Sequence, residues 1–328
     1  MPTVLVAPAP LRGQPGHFRE ILEAGGFDKF IEPDGDHTLS EADLRASLPH
    51  VDAMLAGGEF LSAELLDLAP RLRAIARTGV GYDAIDIAAA TTRRIPVMIT
   101  PGANQESVAE HTFALLLALA RNLVENDQII KAGGWDRRLP MPLRGKTIGL
   151  VGLGRIGKAV AIRATAFGMR VLAFDPMIDA EFDARLGVTR VSLADLFRAS
   201  DIVSLHLPAM PETQGLINRE TLAMMRRGSI LLNTSRGGLV VETDLYEALK
   251  SGHLAGAGLD VFNPEPPAPG NPLLTLPNVL SSPHIAGIDT KGMADMAEMA
   301  SGCIVALKQG RWPVGCVVNQ ELEKGWSW

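Results

Sequence analysis

Short apolar runs alternate with amphipathic ones along the first hundred residues. TVLVAP (Thr3 to Pro8), KFIE (Lys29 to Glu32), AMLAGG (Ala53 to Gly58), LRAIART (Leu72 to Thr78) and PVMIT (Pro96 to Thr100) have the length and composition of strands. Between them, HFREILEAGG, SEADLRASL, SAELLDLA and DIAAATTRR space their apolar residues at the helical period. Two of these open on a serine and acidic residues suited to an N-cap. Strand–helix alternation of this kind predicts a parallel sheet covered on both faces.

Ser107 to Lys131 predicts a single long helix. Its apolar content exceeds one stripe, which predicts burial on several sides and a place in a subunit interface. GGWDRRLPMPLRGK breaks the pattern, and a second alternation begins. KTIGLVGL, MRVLAFD, DIVSLHLP, SILLNT, AGAGLDVF and NVLSSPH are six strand candidates, and TKGMADMAEMASGCIVALKQG after His284 predicts one more long helix. The expected fold is therefore α/β with two doubly wound parallel-sheet domains. One spans 102–287. The last forty residues hold too little to stand alone and are expected to return to the first domain, which becomes discontinuous over 1–101 and 288–328.

At 328 residues the chain is long for one core, in keeping with two domains. Its 31 basic and 37 acidic side chains give a net charge of −6 with no basic run, which argues against a nucleic-acid partner. The longest uninterrupted apolar stretch, FALLLALA, is far short of the roughly 20 residues that a membrane span requires. MPTVLVAPAP has no basic leader region and reads as a first strand. The two cysteines, Cys303 and Cys316, have no metal-ligand spacing, so no metal is expected, and they suit a reduced, cytoplasmic setting.

Within GLVGLGRIGKAV, Gly152, Gly154 and Gly157 form a G-x-G-x-x-G turn. The spacing alone is weak in a glycine-rich chain, but here the turn follows the apolar run TIGLV and precedes a helical segment. Glycines there let the backbone approach a pyrophosphate, whose charge is met by the helix N-terminus. The next strand ends at Asp175, eighteen residues on, where a carboxylate can accept from an adenosine ribose and repel the extra phosphate of NADP. The expected cofactor is NAD.

Hydride transfer also needs something to bind the substrate and move a proton. Three polar residues follow successive strand candidates: Arg236 in NTSRGGLVVE, Glu265 in DVFNPEPPAPG and His284 in SSPHIAGI. Taken singly, each reads more readily as a surface, loop or capping residue. Together, at the carboxyl ends of parallel strands, they can share one crevice. His284 would then give a proton to a ketone oxygen and take it back in oxidation, Glu265 would fix its tautomer, and Arg236 would hold a carboxylate through its planar fork.

Seven ordered blocks, RTGVGYDAID, NQESVAEHT, GLVGLGRIG, LHLPAMPETQGLIN, NTSRGGLVVE, GLDVFNPEPP and SSPHIAGI, run over nearly the whole chain. With them the sequence resembles the D-isomer-specific 2-hydroxyacid dehydrogenase family. The resemblance implies a Rossmann-type cofactor domain and a flavodoxin-like substrate domain that close on each other, a small 2-keto or 2-hydroxy acid as substrate, and a homodimer. It places the catalytic set on Arg236, Glu265 and His284. It places cofactor contacts on Arg155, Ile156, Asp175, Leu207, Pro208, Thr234, Ser235, Asp260 and Gly287, with Asp260 bonding the nicotinamide carboxamide. Backbone N–H groups around Val80 and Gly81 would bind the substrate carboxylate.

The substrate-selecting stretch reads MLAGGEFL, with Glu59 and no arginine, unlike the phosphoglycerate-oxidising members. Formate-oxidising members carry glutamine where this chain has Glu265. Glyoxylate, hydroxypyruvate and pyruvate remain as the expected acids. A dinucleotide-sensing binding protein like the family's corepressor branch, a 3-phosphoglycerate dehydrogenase and an NAD enzyme acting on a non-acid stay open as alternatives. Glu110 and His111 read as structural residues at a hinge, His206 as an incidental polar lining, and Trp135, Trp326 and Trp328 as packing or interface residues.

Overall fold

The computed structural model describes residues 1–328 and divides into two compact units. One comprises Met1–Asn104 and Ile288–Trp328, the other Gln105–Gly287, so the first crossing lies three residues beyond the expected 101.

In the first unit, β1 (Thr3–Val6), β2 (Lys29–Ile31), β3 (Ala53–Ala56), β4 (Ala74–Arg77) and β5 (Val97–Met98) form one sheet in the order β2-β1-β3-β4-β5. Each adjacent pair is parallel. β1 and β3 are buried at every position, as a sheet covered on both faces requires. One face packs against Phe18, Leu22, Met296 and Ile304, the other against Leu44, Leu48, Leu65 and Ala90. The helices between strands start where side chains satisfy their first N–H groups: Ser40 in a reciprocal capping box with Asp43, Ser62 accepting from Leu65, and Asp86 accepting from Ala89.

The C-terminal segment belongs to this unit. Helix Thr290–Lys308 is capped by Asp289 and supplies Met293, Met296, Ala300 and Ile304 to the core. The chain end is pinned by Trp328, edge-on to Phe27 at 5.7 Å and to Trp326 at 6.2 Å. Both cysteines are free thiols.

In the second unit, β6 (Thr147–Val151), β7 (Arg170–Phe174), β8 (Thr189–Arg190), β9 (Ile202–Leu205), β10 (Ser229–Asn233), β11 (Leu254–Leu259) and β12 (Val279–Ser281) form a second parallel sheet. Its order is β12-β11-β10-β9-β6-β7-β8. Six of these strands coincide with sequence candidates. The two-residue β8 at the edge does not, since it carries no apolar run.

The single helix expected over Ser107–Lys131 is two helices, Gln105–Ala120 and Leu123–Lys131. Asn122 breaks it by adopting a left-handed conformation with φ 50°, which asparagine tolerates better than most residues. The first helix packs into the core through Phe113, Leu115 and Leu116. The second buries nothing and leaves Leu123 and Ile130 exposed, and the segment after it leaves Trp135 and Leu139 exposed, Leu139 almost completely. No helix is long and apolar enough to cross a membrane.

Candidate active site

All seven strands of the second unit run parallel, so every loop that follows a strand leaves from the same edge of the sheet. The strand order reverses between β6 and β9, and ligands of open α/β sheets bind at such a switch point. The glycine turn after β6 lies there. Gly152 has φ +103°, and a Cβ on it would stand 2.5 Å from the carbonyl oxygen of His206; one on Gly157 would stand 2.3 Å from that of Gly152. Only glycine permits this close packing.

At Gly154 nothing lies within 4 Å of an added Cβ, which leaves the outer side of the turn open. Helix Arg155–Ala166 begins there without a side-chain cap, with Arg155 exposed and Ile156 half-buried. Its first N–H groups are available to an anion. At the end of β7, Asp175 accepts from Leu153 N (2.6 Å) and Met177 N (2.7 Å), which ties it to the glycine turn. The donors and carboxylate present here fit a dinucleotide.

The next loops line the same edge. Leu207, with Pro208 behind it, follows β9 and packs beside Gly152. The buried Thr234 and the half-buried Ser235 follow β10; Thr234 Oγ1 lies 3.0 Å from Thr112 Oγ1, and Ser235 Oγ donates to Asn233 Oδ1. His206 is half-buried, with Nε2 2.9 Å from Ser204 Oγ and the enclosed Nδ1 without a partner, and desolvation pushes its pKa down to about 4.

The three residues expected to do chemistry follow β10, β11 and β12, which are neighbours in the sheet. His284 Nδ1 stands 2.7 Å from Glu265 Oε2, and Glu265 Oε1 accepts from Phe262 N at 3.0 Å. Burial pushes the Glu265 carboxyl up. The hydrogen bond and charge of His284, the Phe262 N–H and the Arg236 guanidinium together outweigh it and leave the pKa below the ordinary value. Arg236 reaches this group because its loop presses against the one that carries Glu265. A Cβ on Gly237 would lie 1.9 Å from the Phe262 carbonyl oxygen, so the approach requires glycine.

His284 has φ +54°, an uncommon conformation for a non-glycine residue. Asp260, at the end of β11, holds it there. Its carbonyl accepts from His284 N (2.8 Å) and its carboxylate accepts from Ile285 N (3.0 Å), Ala286 N (2.8 Å) and Ser282 Oγ (2.6 Å). The side chain is fully enclosed, and these bonds tie it to the turn that leads to Gly287. Behind it, His111 Nε2 stands 2.7 Å from Ser282 Oγ. No sequence pattern links positions so far apart.

In the first unit, Val80 and Gly81 follow β4 and are half-buried. The neighbouring loop after β3 carries Glu59, only 2% exposed, with its carboxylate on Gly57 N. Burial pushes the Glu59 carboxyl up despite its backbone donors and the nearby Arg77 and Arg12.

Residues 113–286 match the model of the D-isomer specific 2-hydroxyacid dehydrogenase NAD binding domain. The chain is 46% identical over 270 residues to a glyoxylate reductase from Korarchaeum cryptofilum, covering 80% of this chain and 81% of the relative. It is 42% identical over 284 residues to a D-3-phosphoglycerate dehydrogenase from Archaeoglobus fulgidus, covering 86% of this chain but 54% of that protein, so it spans about half of that relative's length. The crystal structure of a Thermus thermophilus protein, 42% identical, superposes with a TM-score of 0.87 over 96% of this chain and all of the other.

Proposed function

The chain belongs to the D-isomer specific 2-hydroxyacid dehydrogenase family, and from that membership we propose that it interconverts a small 2-keto acid and the D-2-hydroxy acid with NAD. The observation that carries this reading is the hydrogen bond between His284 and Glu265 beside Arg236.

When bound, the reduced nicotinamide supplies a hydride to the substrate's carbonyl carbon. Glu265 occupies Nδ1 of His284, which leaves Nε2 to give a proton to the carbonyl oxygen and to recover it in the reverse direction. Because Glu265 is held ionised, it favours the imidazolium that makes the donation. Arg236 offers the substrate carboxylate a charged fork, and we assign the N–H groups of Val80 and Gly81 to substrate binding. The cofactor is held by the Gly152–Gly157 turn with Arg155 and Ile156, by Asp175, and by the loops of Leu207, Pro208, Thr234, Ser235 and Gly287. Asp260 contributes by fixing the His284 turn.

Two observations support NAD over NADP. Asp175 follows β7 beside the glycine turn, where a carboxylate would repel the extra phosphate of NADP. Arg190, the guanidinium near it, is held by both oxygens of Asp183 at 2.8 and 3.2 Å. For the substrate, the loop after β3 contributes the acid Glu59 and no arginine, which favours glyoxylate, hydroxypyruvate or pyruvate over a phosphorylated acid. We further propose a homodimer, in which a second copy of this chain covers the apolar side chains exposed around helix Leu123–Lys131.

The test is to mix the protein with NADH or NADPH and each of these acids, 3-phosphohydroxypyruvate included, and to follow loss of absorbance. Turnover of the unphosphorylated acids, faster with NADH, is the expected result. Absence of turnover with every acid would overturn the proposal.

A further inference from the structure

The catalytic imidazole is held in an uncommon backbone conformation, and such conformations persist only where the surroundings over-determine them. Asp260 supplies the immediate restraint, and two further side chains hold Asp260. Ser282 Oγ donates to Asp260 Oδ1 at 2.6 Å and stands 2.7 Å from His111 Nε2; His111 Nε2 is itself 3.6 Å from Asp260 Oδ1. The direction of these bonds follows from the donor inventory. A carboxylate only accepts, so the single hydroxyl hydrogen of Ser282 is spent on Asp260. His111 Nε2 must therefore carry a hydrogen and donate it to Ser282.

His111 reaches this loop through helix packing. Leu115, one turn further along helix Gln105–Ala120, lies against β11, where a Cβ on Gly258 would stand 3.0 Å from Leu115 Cβ. The same helix face carries His111 to the carboxyl end of β11. Its helix is the first element after the chain enters this unit at Gln105, and the loop it holds is the last before the chain leaves at Gly287. One hydrogen bond thus joins entry to exit, across 171 residues of sequence.

We propose that His111 is a positioning residue for proton transfer. Donating from Nε2 through Ser282 to Asp260, it keeps the 282–287 loop in the one arrangement that aims His284 at Glu265. The inference rests on the catalytic role given to His284 above. It predicts that loss of the His111 donor misplaces the imidazole while leaving most of the dinucleotide site in place, since only Gly287 of the assigned cofactor contacts lies on the 282–287 loop and the rest follow β6, β7, β9 and β10.

The experiment compares the unmodified chain with His111→Ala, His111→Gln, Ser282→Ala and the His111→Ala/Ser282→Ala double variant in NADH-dependent keto-acid reduction. NADH affinity is read by fluorescence. A misplacement on the order of 1 Å can cost about 100-fold in rate, so His111→Ala should lower kcat by roughly that factor with a far smaller change in the Kd for NADH. Its pH profile of kcat/KM should shift as well. Glutamine can place an amide N–H where Nε2 stands, so His111→Gln should recover most of the rate. In the Ser282→Ala background, loss of His111 should cost little more. An unmodified rate and pH profile in His111→Ala would overturn the proposal, as would failure of glutamine to rescue, or fully additive losses in the double variant. If the unmodified chain itself turns over no acid, the functional reading falls rather than the role of His111 within it.

Discussion

His284 Nδ1 and Glu265 Oε2 stand 2.7 Å apart, on loops that follow adjacent parallel strands and are separated by nineteen positions in the chain. This pairing decides which ring nitrogen is free for chemistry. It also depends on Glu265 remaining ionised, which the surrounding donors secure against burial.

Replacing Glu265 by Gln removes the charge and keeps the shape. The imidazolium then loses its counter-ion, so keto-acid reduction should slow by about tenfold or more. The alkaline limb of its pH profile should move toward lower pH, because less of the acid form survives. Steady-state rates between pH 5 and 9 measure both effects. An unmoved limb would mean that Glu265 does not act on the catalytic proton.

Asp175 bears on cofactor choice. Repulsion between its carboxylate and a 2′-phosphate amounts to a few kcal/mol at most near a protein surface. Asp175→Ala should therefore raise the ratio of kcat/KM for NADPH to that for NADH by roughly tenfold or more, a change of about 1.4 kcal/mol. The same rates measured with both cofactors give the ratio. No change would assign discrimination to other residues.

The strand-end logic made it legible in the sequence that Arg236, Glu265, His284 and the glycine turn share one edge of the sheet. In a parallel sheet, the residue after each strand lands on one known edge, and apolar runs mark the strands. What stayed hidden was set by tertiary packing. The short β8 carries no apolar run to read, and Asn122 interrupts a helical pattern without glycine or proline to announce it. The donation from His111 to Ser282, and the close approach of Gly237 to Phe262, link distant segments through contacts that leave no local period.

His206 makes a stability prediction. Its folded pKa of about 4 lies below its ordinary 6.5, so the unfolded chain binds more protons between those values. Stability should therefore fall as pH falls through that window, by roughly 3 kcal/mol over the full shift at 1.36 kcal/mol per unit. Urea midpoints at pH 7 and pH 5 should separate in the unmodified chain and draw together in His206→Gln. Equal separation in both would discharge His206 from this role.

Trp135 and Leu139 test the assembly. They are 82% and 98% exposed on the isolated chain, an unfavourable place for large apolar groups unless another copy covers them. Trp135→Glu with Leu139→Glu should convert a dimer to a monomer in sedimentation velocity. A mass unchanged by both substitutions would put the interface elsewhere.

The most direct test of the central claim is the rate of NADH-dependent keto-acid reduction by His284→Gln, measured alongside its affinity for NADH. Loss of the proton donor should lower kcat by about 10²- to 10⁴-fold while NADH still binds. A variant that reduces the same acid at the unmodified rate would contradict the assignment of His284 and the account built on it.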